Sequence, residues 1–180
     1  GGKGSDNRPV TFLYNGGPGS SSIWLHMGSF APVRIQTASP DATPPPPYHL
    51  VPNADSLLDK TDLVFVDAIG TGYSHGIPNE KDKKDKDANP DKRFWGTDQD
   101  IAAFGRFVQR YITKYDRWNS PKFLFGESYG TPRSAGLVKW LADNGIACNG
   151  VVLLSSILNY AEHLPGLDIN YVNYLPSYAA

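Results

Sequence analysis

The chain has 180 residues, of which 40% are hydrophobic and 19% charged, and its formal net charge is −1. That length suffices for one domain with one sizeable core, and the near-neutral balance lacks the basic excess that nucleic-acid binding requires. No apolar run is long enough to cross a membrane as a helix, and the single cysteine, Cys148, excludes an internal disulfide.

In chain order, a polar, glycine-rich lead-in from Gly1 to Asn7 precedes the first strand signal, Val10-Thr11-Phe12-Leu13-Tyr14. Its β-branched and aromatic residues suit a pleated, buried surface. It runs into Asn15-Gly16-Gly17-Pro18-Gly19-Ser20-Ser21-Ser22. This loop lacks the Gly-Lys-Ser/Thr ending of a phosphate loop and the spacing of a dinucleotide fingerprint. A flexible turn and a source of backbone N–H donors are the readings left open.

From Thr37 to Pro52 the chain is proline-rich, and Pro44 to Pro47 favours an extended surface connection. Ser56-Leu57-Leu58 leads into a second buried strand, Asp62-Leu63-Val64-Phe65-Val66-Asp67, followed by the turn signal Gly70-Thr71-Gly72-Tyr73-Ser74. Residues Asn79 to Arg93 carry six Lys or Arg and five Asp or Glu, so a solvated, mobile excursion is expected rather than a metal or nucleic-acid site. Thr97, Asp98 and Asp100 then predict the start of a helix that buries Ile101, Phe104, Val108 and Tyr111.

The third strand, Lys122-Phe123-Leu124-Phe125, opens onto Gly126-Glu127-Ser128-Tyr129-Gly130. After it, Ala135, Leu137, Val138 and Leu141 recur at helical spacing, with Asn144-Gly145 as a stop signal. A bare Gly-x-Ser-x-Gly pattern is weak, but strand, sharp turn and helix together describe a nucleophile elbow. Such a site needs two backbone N–H donors for the oxyanion. One follows the nucleophile, here Tyr129, and Gly17 in the early glycine loop suits the other. Cys148 reads as a small half-buried filler, and Gly150-Val151-Val152-Leu153-Leu154 as a further buried strand. Strand and helix alternate from Phe65 to Leu154, which predicts a mostly parallel sheet with the site at the carboxyl ends of its strands.

Asn15-Gly16-Gly17-Pro18-Gly19-Ser20-Ser21, Gly70-Thr71-Gly72-Tyr73-Ser74 and Gly126-Glu127-Ser128-Tyr129 occur in this order and at these distances. With them the chain from about Arg8 onward resembles the serine carboxypeptidase family, specifically its cysteine-poor bacterial-type members. The resemblance implies a partial α/β-hydrolase fold, mostly parallel with helices on both faces, and release of C-terminal residues from peptides through an acyl-enzyme. It implies Ser128 as nucleophile, Gly17 and Tyr129 as oxyanion hole, and Asn15, Gly16 and Glu127 as holders of the substrate's free carboxylate. No metal or organic cofactor is implied, and a periplasmic or secreted location is favoured. Its partners are a peptide with a free C-terminus and the remainder of the catalytic domain. An esterase or acyltransferase on the same scaffold is the alternative enzyme, and a truncated chain that only binds is the non-catalytic one.

Departures from the family pattern are visible. The family pairs the glutamate of the elbow with a second one so that a proton can be shared when a carboxylate binds, and it works best at acidic pH. Here the second position falls on Ser29. Ser20 stands where the family has a cysteine, Ala68-Ile69 where Gln-Pro is common, and Gly130-Thr131-Pro132-Arg133 where many relatives have Ala-Gly and an aromatic or basic pair.

A serine nucleophile also needs a base, and elbow enzymes order their triad serine, acid, histidine. After Ser128 the chain offers only Asp143 and His163 in that order. Asp143 suits a solvated helix end, and His163 has no motif around it. The expectation is therefore that residues 1–180 form the N-terminal part of one catalytic domain, with its Asp and His elsewhere. About residues 160–180 are expected to open a helical cap.

Overall fold

The computed structural model describes residues 7–37, 45–157, 159–160, 164, 166 and 168–179. Four parallel strands form the central sheet in the order β4-β1-β5-β6: β1 (Val10–Tyr14), β4 (Asp62–Phe65), β5 (Lys122–Glu127) and β6 (Gly150–Leu154). The chain lays β4 on one side of β1, crosses over through α2 (Thr97–Lys114), and returns as β5 on the other side. Helix α3 (Gly130–Asp143) then connects β5 to β6. Loops leaving β1 and β5 therefore emerge side by side at the carboxyl edge, where such sheets open a crevice.

Alternation along β1 divides the core. Val10, Phe12 and Tyr14 face α2 and α3, with Phe104, Val108, Ile112, Leu137 and Leu141 against them. Phe12 meets Tyr111 edge-on at 5.4 Å and Tyr14 meets Phe104 at 5.1 Å. Leu13 points the other way, onto Leu25 and Phe125, beneath a short helical segment made of α1 (Ile23–Leu25) and a π-helical turn (His26–Phe30). Full burial of each such side chain contributes about 2 kcal/mol. A small antiparallel pair, β2 (Val33–Ile35) with β3 (Leu50–Pro52), was not foreseen from the sequence and lies beside that segment.

Several sequence expectations need correction. Ala135 is exposed on α3, because the face turned to α2 is built from other residues. A Cβ on Gly136 would lie 2.3 Å from Ile101, and one on Gly105 of α2 would lie 2.2 Å from the Trp140 ring. Glycine thus lets the helices approach where apolar periodicity pointed to alanine. On α2, Phe104 and Val108 are buried as expected, whereas Ile101 and Tyr111 are only partly so and Ile112 is buried in addition. Gly96, not Thr97, caps that helix, with no side-chain cap bond.

Strand β6 forms as expected, but Val151 to Leu154 are 40–47% exposed. It is an edge strand, and its faces are only partly covered among the described residues. Pro46 and Pro47 lie in a bend rather than an extended run, and residues 38–44 fall outside the described residues. The charged excursion folds into two 3-10 turns, Asp82–Lys84 and Pro90–Phe94, tied by the Arg93–Asp82 ion pair at 2.6 Å. Helix α4 (Ile169–Ala179) follows the last strand, with Tyr171, Val172 and Leu175 exposed.

Candidate active site

The turn at Ser128 is built by close backbone approach. A Cβ on Gly126 would lie 2.1 Å from the Gly130 carbonyl oxygen. Ser128 itself has φ +56°, in the left-handed region that costs a residue with a side chain about 1–2 kcal/mol. Surrounding bonds hold it there. Ser128 N–H donates to Leu154 O at 2.9 Å, and Thr131 donates to Ser128 O through both its N–H (2.9 Å) and its hydroxyl (2.7 Å). The Ser128 hydroxyl makes no hydrogen bond among the described residues. It lines an open cleft of ≈ 360 Å³ together with Gly17, Trp24, Ser29 and Glu127.

The other wall comes from the β1 loop. Register pairs Tyr14 with Gly126, so Asn15 arrives beside Glu127. Asn15 is 3% exposed, and its Nδ2 donates to Glu127 Oε2 at 3.1 Å while Gly16 N–H donates to the same oxygen at 3.4 Å. Leu25 N–H donates to Asn15 Oδ1 at 3.1 Å, which orients the amide. A Cβ on Gly16 would sit 2.4 Å from the Tyr129 nitrogen, so only glycine lets the loop lie against the elbow. Gly17 follows with φ +106°. Neither the Gly17 nor the Tyr129 N–H donates a hydrogen bond within the described residues. Ser29 lies in the same cleft, its hydroxyl donating to Trp24 O at 3.1 Å. Glu127 is therefore the only carboxylate among the described residues lining that cleft.

The turn after β4 braces this loop. Asp67 Oδ1 accepts from Ser22 N–H at 2.7 Å and Oδ2 from Tyr73 N–H at 3.3 Å. Ser22 in turn donates its hydroxyl to Val66 O at 2.5 Å and accepts from Asn15 N–H at 3.3 Å. Tyr73 itself is 99% exposed. The motif that looked like a simple strand-end turn thus fixes the glycine loop, and the aspartate at the strand end was the signal available.

Sequence reasoning missed the charge beneath the site. Asp100, read as a helix-terminus residue, is 8% exposed and pairs with Arg133, which is 2% exposed, at 2.6 Å. Burial also raises the Tyr14 hydroxyl well above its ordinary value, with Ser134 at 2.6 Å pulling the other way, so Tyr14 remains a neutral phenol.

No base reaches Ser128 among the described residues. His26 stacks on Phe65 at 4.4 Å, His75 faces Asp91 at 3.7 Å, and His49 is exposed. Asp143 pairs with Lys139 at 2.8 Å on the exposed side of α3. His163 lies outside the described residues.

The family model for serine carboxypeptidases matches residues 2–145, well over half of the chain. The chain belongs to the serine carboxypeptidase family. No curated protein matches it. Among solved structures this family member is similar to Kex1(Δ)p, a prohormone-processing carboxypeptidase from Saccharomyces cerevisiae, with 22% identity and a TM-score of 0.63. The likeness covers 85% of this chain and 31% of the yeast chain, and it shows the shared α/β-hydrolase fold. This serine carboxypeptidase chain thus spans about a third of that relative's length.

Proposed function

We propose that the chain is the nucleophile-bearing part of a serine carboxypeptidase that releases C-terminal residues from peptides. The observation that carries this reading is a strained Ser128, its hydroxyl without a hydrogen bond among the described residues, sharing one cleft with Glu127, whose carboxylate accepts from Asn15 and Gly16. Ser128 Oγ attacks the carbonyl carbon of the last peptide bond and passes its proton to a histidine supplied from outside the described residues. The oxyanion accepts hydrogen bonds from Gly17 and Tyr129 N–H. Collapse breaks the C–N bond, the departing amine takes the proton, and water then cleaves the ester on Ser128. The freed residue's carboxylate is held by Asn15, Gly16 and Glu127, the last carrying a proton when the anion is bound. The histidine's acid partner and the remainder of the sheet are assigned to further sequence of the same catalytic domain, with residues 160–180 opening its cap.

The full-length protein should label at Ser128 with a phosphonate probe and hydrolyse free-acid peptides in preference to their amides. Labelling without that preference points to the second reading, an esterase or acyltransferase, which the lone Glu127 opposite Ser29 favours. Failure to label leaves a chain that only binds.

A further inference from the structure

Arg133 is among the most deeply buried side chains described, and no step above uses it. Its Nε donates to Asp100 Oδ2 at 2.6 Å and its Nη1 to the Asn15 carbonyl oxygen at 3.0 Å. The guanidinium also lies over three rings: Phe104 at 4.4 Å, Tyr129 at 5.2 Å and Tyr14 at 5.6 Å. Desolvating two charges is costly, and apolar residues of similar volume often serve stability as well or better. Packing alone therefore gives this pair no particular reason to be charged.

What it touches supplies one. The Asn15 carbonyl and the Gly16 N–H belong to a single planar peptide unit. Arg133 holds the oxygen of that unit, and the N–H at its opposite side is the one aimed at Glu127 Oε2. Gripping the oxygen fixes the plane, and hence the direction of the N–H. A cationic donor on the carbonyl also polarises the peptide and strengthens its N–H as a donor. Donor strength matters here because, among the described residues, no second carboxylate lines the cleft to share a proton with Glu127. Asp100, in the first turn of α2, neutralises the guanidinium and aims its fork.

We infer that Arg133 is a positioning residue that clamps the Asn15–Gly16 peptide so that Gly16 N–H meets the substrate's C-terminal carboxylate, and so sets selectivity for free C-termini. The inference rests on the proposed carboxylate-binding role of Asn15, Gly16 and Glu127.

The test compares kcat/KM of the full-length protein for a blocked peptide with a free C-terminus and for its methyl ester. Arg133→Lys keeps the charge without the fork. The double variant Asp100→Asn/Arg133→Met removes both charges and leaves neither buried unpaired. The acid-to-ester selectivity ratio should fall about tenfold in the double variant, the size of one lost charge-assisted bond, through a higher KM for the acid. It should fall by less in Arg133→Lys. A destabilised Arg117→Lys control should keep the wild-type ratio. A wild type without acid preference overturns the carboxylate-binding reading and this inference together. A wild-type preference that survives in the variants overturns the inference alone, as does an equal loss on acid and ester. Should the double variant fail to fold, an unchanged ratio in folded Arg133→Lys overturns it equally.

Discussion

The two ends of β1 are both finished by an arginine and an aspartate, yet they are built for different purposes. At the amino end, Arg8 and Arg117 converge on Asp62 at 2.7 and 2.5 Å. Arg117 also donates to Ser120 Oγ and to the Arg8 carbonyl, each at 2.7 Å. Nearby, Lys122 Nζ caps the Trp118 and Ser120 carbonyls at 2.6 and 3.0 Å, and burial lowers its pKa. The donors of this end are spent on neighbouring loops, which ties the starts of β1, β4 and β5 together. At the carboxyl end, Arg133, paired with Asp100, grips the Asn15 carbonyl, and Gly17 and Ser128 line the cleft, where the Ser128 hydroxyl makes no hydrogen bond among the described residues. One end closes its hydrogen bonds; the other leaves donors without a partner among the described residues.

That contrast can be broken most sharply at Ser128. In the full-length protein, Ser128→Ala and Ser128→Gly should each lower kcat roughly 10⁴-fold or more. The glycine variant should nonetheless be more stable than the alanine one by about 1 kcal/mol in urea unfolding, since φ +56° suits glycine. Equal stability would argue that the strain is illusory.

At the opposite end the effects should reverse. Arg117→Ala is expected to cost about 2 kcal/mol, because it removes one of the two arginines on Asp62 and the guanidinium donor to the Arg8 carbonyl, while the phosphonate labelling rate of Ser128 stays the same. A slowed labelling rate would mean that the two ends are coupled.

Acid should act on the same end. Burial works to raise the Asp62 carboxyl, but the hydrogen bonds and charges of Arg8 and Arg117 outweigh it and hold it below its ordinary value. Because the folded carboxyl titrates lower than the unfolded one, its stabilisation is complete above the unfolded value, about pH 4. It is lost as pH falls through the folded value. Unfolding midpoints measured down the acid range should therefore drop for the wild type and flatten for Asp62→Asn.

The smallest effect is expected at Asp143. Its partner Lys139 is 78% exposed, so Asp143→Ala should change stability by less than about 0.5 kcal/mol and leave peptide hydrolysis alone. A large loss of kcat would instead make Asp143 the acid of a triad.

Much of this was legible from local pattern. Val10 to Tyr14 and Lys122 to Phe125 became largely buried strands, and Asn144-Gly145 ended α3 with Gly145 at φ +73°. The sharp turn at Ser128 was readable because a strained turn demands small residues at fixed offsets. Where the reading failed, partners lay far away in sequence. Asp100 looked like a helix-start charge because Arg133 is 33 residues off. Gly150 to Leu154 looked buried because an apolar run carries no mark of whether it will lie at an edge. Ala135 looked like core because apolar periodicity gives no weight to a glycine and an arginine that pack closely.

The sequence by itself determined the four strands of the central sheet, helices α2 and α3, and where the sharp serine turn falls. These follow from steric limits and side-chain polarity acting over a few residues. Only the tertiary structure decided that Asn15 meets Glu127, that Asp67 braces the glycine loop, and that a buried arginine holds the peptide between Asn15 and Gly16. Those pairings depend on strand order and register, which bring together groups that no local rule connects.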